Sequence, residues 1–437
     1  MIDYIHADLF KQTSVPKELI ATCDGEQLEN ILSESFTLNE CICKENKLTY
    51  GSMCASTVSF SMLNDGVSNY AGKVIVLKLM VDNDSENLLD LGTYYVTEDK
   101  LSSNRLQRHI KGENALVGLL YADVTSWYNG LSFPMTLKTF RDSLFTHFDF
   151  ECVEVDLPND GMTVAKTLQL NEIKGSTILQ AIAEINGAFG NKFEFVCLYK
   201  AEPAPTDGLY PSIALFPDES VFPGGIVETA RSVTSVTPMS EEVFYDNSYF
   251  SVDYANYVSN ENGLTNLKIY TQDSDIDSVT VGTGDMSNCY TIEDNFLVYG
   301  KNETELTNIA NVLYGNIEDI SYTPINNALV RGNPCIEPGD RVSFVVGDQI
   351  IDTYVLERQL SGIQALKDNF SAKGVENYDE VTRAIGTDLN KTLNFMLGRI
   401  NALEMGGGGT RIVSVNQLPA IVDPNIVYLI QGVVVVN

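Results

Sequence analysis

Side chains able to do acid–base or nucleophilic chemistry are few. The chain holds three histidines, His6, His109 and His147. No two lie four residues apart and no His-Glu-x-x-His occurs, so the helical zinc pattern is absent. His147 ends an amphipathic stretch, where its ring would offset the partial negative charge of a helix C-terminus. Cys152 follows five residues later and could form a nucleophile–base pair with it. The intervening Phe148-Asp149-Phe150-Glu151 is acidic, and nearby carboxylates raise a thiol pKa and oppose the thiolate. No Gly-x-Ser-x-Gly elbow and no phosphate loop ending in Gly-Lys is present.

Two acidic clusters bear on calcium: Asp82, Asp84, Glu86 and Asp273, Asp275, Asp277. An EF-hand loop needs Gly at its sixth place and Glu at its twelfth. The first cluster has Asn87 and Thr93 there and the second has Ser278 and Gly284, so solvated turns are expected. Glycosidases need only two carboxylates at a suitable separation. Among 59 acidic residues such a pair is neither identified nor dismissed. No catalytic, cofactor-binding or metal-ligating residue is assigned, and no cofactor is expected. Cys41 and Cys43 form a C-x-C without a second pair at zinc spacing. With the other scattered cysteines, they read as buried, reduced thiols acting as small hydrophobes.

The elements that would position any site come from a chain of 437 residues, enough for roughly two to four domains. Apolar residues make up 44%, so real cores can form. Lys plus Arg is 28 and Asp plus Glu is 59, giving 28 − 59 = −31. Such a surface repels DNA phosphates and anionic lipid, so no specific nucleic-acid binding is expected. The charge serves solubility, or the lining of a channel for a polyanion. No signal peptide and no apolar run of membrane-spanning length is read.

Residues 1–125 read as β: Val58, Phe60 and Met62 alternate, and 74–81 and 92–96 are strands around an acidic turn at 82–86. Residues 126–235 read as α+β. One helix spans 136–147 with Thr136 as cap, and a second follows Ser176 with Ile178, Leu179, Ile182, Ile185 and Phe189 on one face. Residues 236–375 return to β, with a helix over 303–314 and a hairpin of 341–346 with 350–356. Residues 376–405 hold one helix, in which Ile385, Leu389, Leu393, Met396, Ile400 and Leu403 fall close to a heptad seam. Its interior Gly386 and Gly398 cost about 1 kcal/mol each against Ala, so it needs partners. A glycine linker, 406–410, precedes a small β adaptor unit at 411–437.

Several segments, in order, resemble tail proteins from phages and prophages of Gram-positive bacteria. Residues 30–62, including Leu48-Thr49-Tyr50-Gly51-Ser52-Met53-Cys54-Ala55-Ser56, resemble their N-terminal strands, and Gly92-Thr93-Tyr94-Tyr95-Val96 a further one. Thr177 to Gly187 resembles the helix of their second domain. Pro338-Gly339-Asp340, Tyr354 to Arg358, Leu360-Ser361-Gly362 and Ala372-Lys373-Gly374 resemble their last barrel strands. Val413 to Pro419 with Asn425 to Ile430 is similar to short β-units of phage fibre and baseplate proteins.

The resemblance implies the tail-hub family: a mainly β chain of two hub-type barrels with a middle α+β domain, a C-terminal helix and a small β-unit. It implies a homotrimer forming a pseudo-sixfold ring that closes the tail tube. The ring would dock on a hexameric distal tail or tube protein and meet the tape-measure protein. It would let DNA through and carry a fibre or receptor-binding protein on its C-terminal unit. The expected location is the virion tail tip or baseplate, after assembly in the host cytoplasm. The chain stops at Asn437, short of the hydrolase extension of some relatives, so an enzyme is not expected. Two alternatives stay open: a tail-associated cell-wall hydrolase and a carbohydrate-binding baseplate module.

Overall fold

The computed structural model describes residues 9–10, 15–44, 48–148, 156–169, 171–190, 241–244, 249–253, 263–271, 276–283, 288–374, 411–415, 426–430 and 433–435. The expected helix over 376–405, with Ile385, Leu389, Leu393, Met396, Ile400 and Leu403, lies outside the described residues, as do the glycine linker, His6, Cys152, Asp273 and Asp275.

Alternating burial lays down the N-terminal strands: β1 (Lys17–Cys23), β2 (Glu26–Leu28), β3 (Thr37–Cys41), β4 (Thr57–Leu63), β5 (Val74–Val81), β6 (Asp84–Leu101) and β7 (Gln107–Asn114). In β4, Val58, Phe60 and Met62 point inward between half-buried Thr57, Ser59 and Ser61. Burying each of these large side chains contributes about 1.5–3 kcal/mol. The expected turn at 82–86 shrinks to Asp82 and Asn83, both with positive φ (60° and 54°). The chain then runs 18 residues as β6, absorbing the expected 92–96 strand. A bulge where Leu77 and Lys78 face Gly92 and Asp90 lets so long a strand bend.

The middle of the chain adds β8 (Met135–Thr136) and β9 (Thr163–Val164), then β10 (Glu241–Phe244) and β11 (Tyr249–Asp253). Its helices are α1 (Leu116–Tyr121), α2 (Thr125–Gly130), α3 (Leu137–His147) and α4 (Gly175–Ile185). Thr136 caps α3 by accepting from the Thr139 N–H, as expected. The expected Ser176 cap on α4 is not used: its N-cap is Lys174, with no side-chain cap. The Gly175 N–H donates instead to the Ala122 carbonyl at 3.0 Å, so the helix end is satisfied from across the fold.

The C-terminal part holds β12 (Asn266–Tyr270), β13 (Ser278–Gly282), β14 (Cys289–Ile292) and α5 (Glu303–Ile317). It continues with β15 (Ile325–Arg331), β16 (Arg341–Val346), β17 (Gln349–Tyr354), β18 (Glu357–Ser361) and β19 (Lys367–Ala372). Asn302 and Glu305 make a reciprocal capping box at the start of α5. Further on, β20 (Arg411–Val415), β21 (Ile426–Ile430) and β22 (Val433–Val435) form a three-stranded sheet of their own.

The fold is mainly β. Its largest sheet has the order β11-β15-β19-β18-β3-β4-β7-β6-β5-β1-β2. Among the described residues this order is open and no barrel closes. Its central join is β3 against β18, antiparallel, with Glu40 opposite Arg358 and Leu38 opposite Leu360. Two cores take residues from the sheet. One gathers Leu38, Phe60, Leu77 and Tyr94 with Leu360, Ile363 and Leu366. The other joins α3, α4 and α5 to Ile42, Cys43 and Tyr50 from the N-terminal part. Each core thus takes side chains from both ends of the sequence.

The expectation that the cysteines are all reduced is corrected at one pair. Cys41 and Cys54 are joined in a disulfide, with Cα atoms 6.0 Å apart. Thirteen residues separate them, and the β3–β4 connection folds back to bring them together. Cys23, Cys43 and Cys335 are buried thiols, as small hydrophobes are.

Candidate functional site

Charged residues at buried positions mark where the fold holds something other than hydrocarbon, and three such clusters stand out. The largest lies on the β3–β18 join. In each of three neighbouring strands the alternation that buries an apolar side chain also buries a charged one: Glu40 beside Leu38, Arg358 beside Leu360, Asp368 beside Phe370. The Arg358 side chain is 0% exposed, as is that of Asp368. Desolvating these charges costs several kcal/mol per ion unless every hydrogen-bonding site is met.

It is met. Nε of Arg358 donates to Asp368 Oδ1 at 2.8 Å. Nη2 donates to Asp368 Oδ2 at 3.1 Å and to the Asn333 carbonyl at 2.9 Å. Nη1 donates to Glu40 Oε2 at 3.3 Å and to the Ile336 carbonyl. All five guanidinium N–H groups are used. Asp368 Oδ2 also accepts the Asn333 N–H at 2.9 Å. Burial pushes the Asp368 carboxyl up, against the pull of Arg358 and that N–H. The segment supplying both carbonyls runs into Pro338-Gly339-Asp340, where Gly339 has φ 101° and its N–H donates to the Val355 carbonyl. Asp340 then accepts the Glu337 N–H at 2.8 Å.

The second cluster closes one end of the β4–β7–β6 sheet. Buried Arg108 meets Asp99 at 2.6 Å, donates to the Val67 carbonyl and stacks 5.0 Å over the Tyr70 ring. The Tyr70 hydroxyl donates to Asp65 at 2.5 Å. Burial, then the Asp65 bond, pushes the Tyr70 phenol well up. Burial alone would raise Asp65, but the Tyr70 hydroxyl, the Val67 N–H and Arg108 outweigh it and hold the carboxyl below its usual range. The third cluster pairs Arg141 of α3 with Asp160 at 2.9 and 3.1 Å, and Asp160 also accepts the Leu157 N–H.

Arg358 and Asp368 are saturated and closed to water, whereas in the second cluster Arg108 Nε finds no partner and Asp65 is exposed. Proton transfer needs a group within reach of a reactant, and the fully buried Arg358 and Asp368 offer none. What they do is pin register: a one-residue slip of β18 would turn Arg358 to the other face. The residues weighed for chemistry stay dispersed. His147 packs its ring against Phe148 at 5.0 Å and Trp127 at 6.5 Å. His109 lies on β7, with Nδ1 3.3 Å from Ser61 Oγ. Asp82 sits in the β5–β6 turn, its N–H bound to the Pro16 carbonyl. Among the described residues no group of three His, Cys, Asp or Glu side chains could hold a metal ion, and no helix is long and apolar enough to cross a membrane. Glu40, Arg358 and Asp368 were not singled out from the sequence. The signal that could have found them is a charge in the inward phase of an alternating strand.

No known protein-family model matches the chain, and no curated protein matches it. Solved structures similar to it include three tail proteins. The tail protein from Neisseria meningitidis has 10% identity and a TM-score of 0.46, covering 81% of this chain and 95% of its own. A prophage tail protein from Listeria monocytogenes has 12% identity and a TM-score of 0.45, covering 89% and 99%. The 43 kDa tail protein of prophage MuSo2 from Shewanella oneidensis has 9% identity and a TM-score of 0.46, covering 81% and 97%. At these scores the likenesses establish neither the family nor the function of the chain.

Proposed function

We propose that this chain is a structural component of a phage-type tail tip, a hub protein that assembles as three copies around a central channel. The observation that carries the reading is the β3–β18 join. The segments that resemble hub proteins at the two ends, 30–62 and 338–374, are far apart in sequence. They meet as neighbouring strands locked by Arg358. A hub chain that presents two related β lobes to a six-fold tube needs such a rigid tie between its lobes.

In this reading the regions 1–125 and 236–375 act as the two lobes, and 126–235 braces them through α3 and α4. Three copies of the helix over 376–405 bundle through Ile385, Leu389, Leu393, Met396, Ile400 and Leu403. The sheet of β20, β21 and β22 presents a fibre or receptor-binding component. The ring docks on a hexameric distal tail or tube protein and gates the tape-measure protein and DNA. A net charge of −31 suits a lumen past which a polyanion must slide. The role is mechanical and not enzymatic.

The test is the mass of the purified full chain in solution by light scattering, with negative-stain images of the same sample. Three copies with a central opening are expected, and a chain ending at residue 376 should lose subunits. A single compact subunit at every concentration overturns the reading.

A further inference from the structure

We infer that the β6–β7 turn, residues 101–107, is a contact by which one copy of this chain grips the next. The inference rests on the self-assembly just proposed and names the surface that carries it.

The turn is built to hold one shape. The Arg105 N–H donates to the Ser102 carbonyl at 2.9 Å, and Arg105 takes a positive φ of 57°. The Ser102 hydroxyl binds Asn104 at 2.7 Å and accepts the Gln107 N–H at 3.1 Å. Asn104 accepts the Leu106 N–H at 3.0 Å. Asn64 ties the turn to the neighbouring loop, giving its side-chain amide to the Arg105 carbonyl at 3.0 Å and its N–H to the Leu106 carbonyl at 2.9 Å. Beneath it, the Arg108–Asp99–Tyr70 cluster fixes the sheet end. Yet the residue this scaffold presents is apolar: Leu106 is 66% exposed. Leu101, Leu63 and Val67 are exposed around the same sheet end. A fixed turn holding a leucine in water has already met the ordering cost that binding imposes.

The charge of the turn argues for its occupant. Lys100 to Gly112 contains Lys100, Arg105, Arg108 and Lys111 and no carboxylate, a local charge of +4. The remainder of the chain carries 28 − 4 − 59 = −35. Arg108 is spent on Asp99 and Lys100 lies 2.7 Å from Glu98; of the remaining Arg105 and Lys111, Arg105 sits in the turn itself, beside Leu106. A cation-flanked apolar knob fits an acidic protein surface, and the acidic surface present in stoichiometric amount in an assembly of this chain is a second copy. A knob on one copy meeting a different patch on the next is a heterologous contact, the kind that closes rings.

The test replaces Leu106 with a benzophenone-bearing amino acid in the full chain, followed by irradiation and peptide mapping. Adducts of two and three chains are expected, joined at a peptide rich in Asp and Glu. A chain that is multimeric by light scattering but gives no interchain adduct at position 106 overturns the inference and leaves the hub reading intact. A chain that is a lone subunit removes both. Independently, Arg105→Glu with Leu106→Asp should weaken association about tenfold or more, as truncation of an interface anchor does, with an unchanged circular dichroism spectrum. Unchanged association of that variant also overturns the inference.

Discussion

At Arg358 five hydrogen bonds converge on one side chain, so removing it strands two carboxylates in a dry interior. Arg358→Met should cost about 3–5 kcal/mol, the usual penalty for breaking a buried ion pair, read from the urea midpoint. Arg358→Lys should recover little, because an ammonium has three donors and no planar fork. In a Glu40→Gln, Asp368→Asn background the same Arg358→Met change should cost less, since no naked charge remains. Equal losses in both backgrounds would mean that the ionic seam is not what Arg358 supplies. Alkaline pH reports on the other buried polar groups. Tyr70 and Tyr322 are each 4% exposed, and burial raises both phenols above the ordinary value of about 10. A raised pKa in the folded state means that the neutral phenol favours folding. That stability is complete below about pH 10 and is lost as pH rises through the raised values. Absorbance at 295 nm should therefore show some of the 21 tyrosines ionising only as the fold melts. Smooth titration of all of them before any loss of circular dichroism would contradict this.

At the scale of elements, close approach of helices is set by glycine. A Cβ at Gly175 would lie 2.0 Å from the Leu119 carbonyl oxygen, and one at Gly187, where φ is +67°, would lie 2.7 Å from Ile317. Gly175→Ala and Gly187→Ala should each cost on the order of 1–3 kcal/mol by forcing α4 away from α1 and α5. Gly315, exposed in α5 with open space around its Cβ position, should behave oppositely. Gly315→Ala should add about 0.5–1 kcal/mol through helix propensity, visible as a higher melting temperature. The same elements show what could be read beforehand. α3, α4 and α5 each carry a helical apolar period and were legible, as were β4, β5 and the β16–β17 hairpin. α1 and α2, six residues each, are too short to display a period. The Ser176 cap was plausible by residue type, but Ala122, more than fifty positions upstream, had already satisfied the helix end. The β3–β18 join has no local signature, because register across a long gap is chosen by packing and by Arg358.

The whole molecule is governed by its charge. At −31 and a pI near 4.3, copies repel each other at neutral pH, so association must work against a long-range field. Titration toward pH 4.3 should tighten self-association and then precipitate the chain. Sedimentation velocity across that range measures it, and an oligomer that falls apart on acidification would point to contacts made by ionised carboxylates.

The tie between β3 and β18 also bears on how each copy is made. Glu40 and Arg358 are 358 − 40 = 318 residues apart. At about 5–20 residues per second, a ribosome takes roughly a quarter of a minute to a minute to travel between them. Throughout that interval the nascent chain carries β3 with one flank of amide and carbonyl groups unmatched. Polysomes set such unfinished edges side by side, where another chain's strand can be captured. Release of a correctly paired polypeptide, rather than the later docking of finished subunits, is then the step at which yield is won or lost.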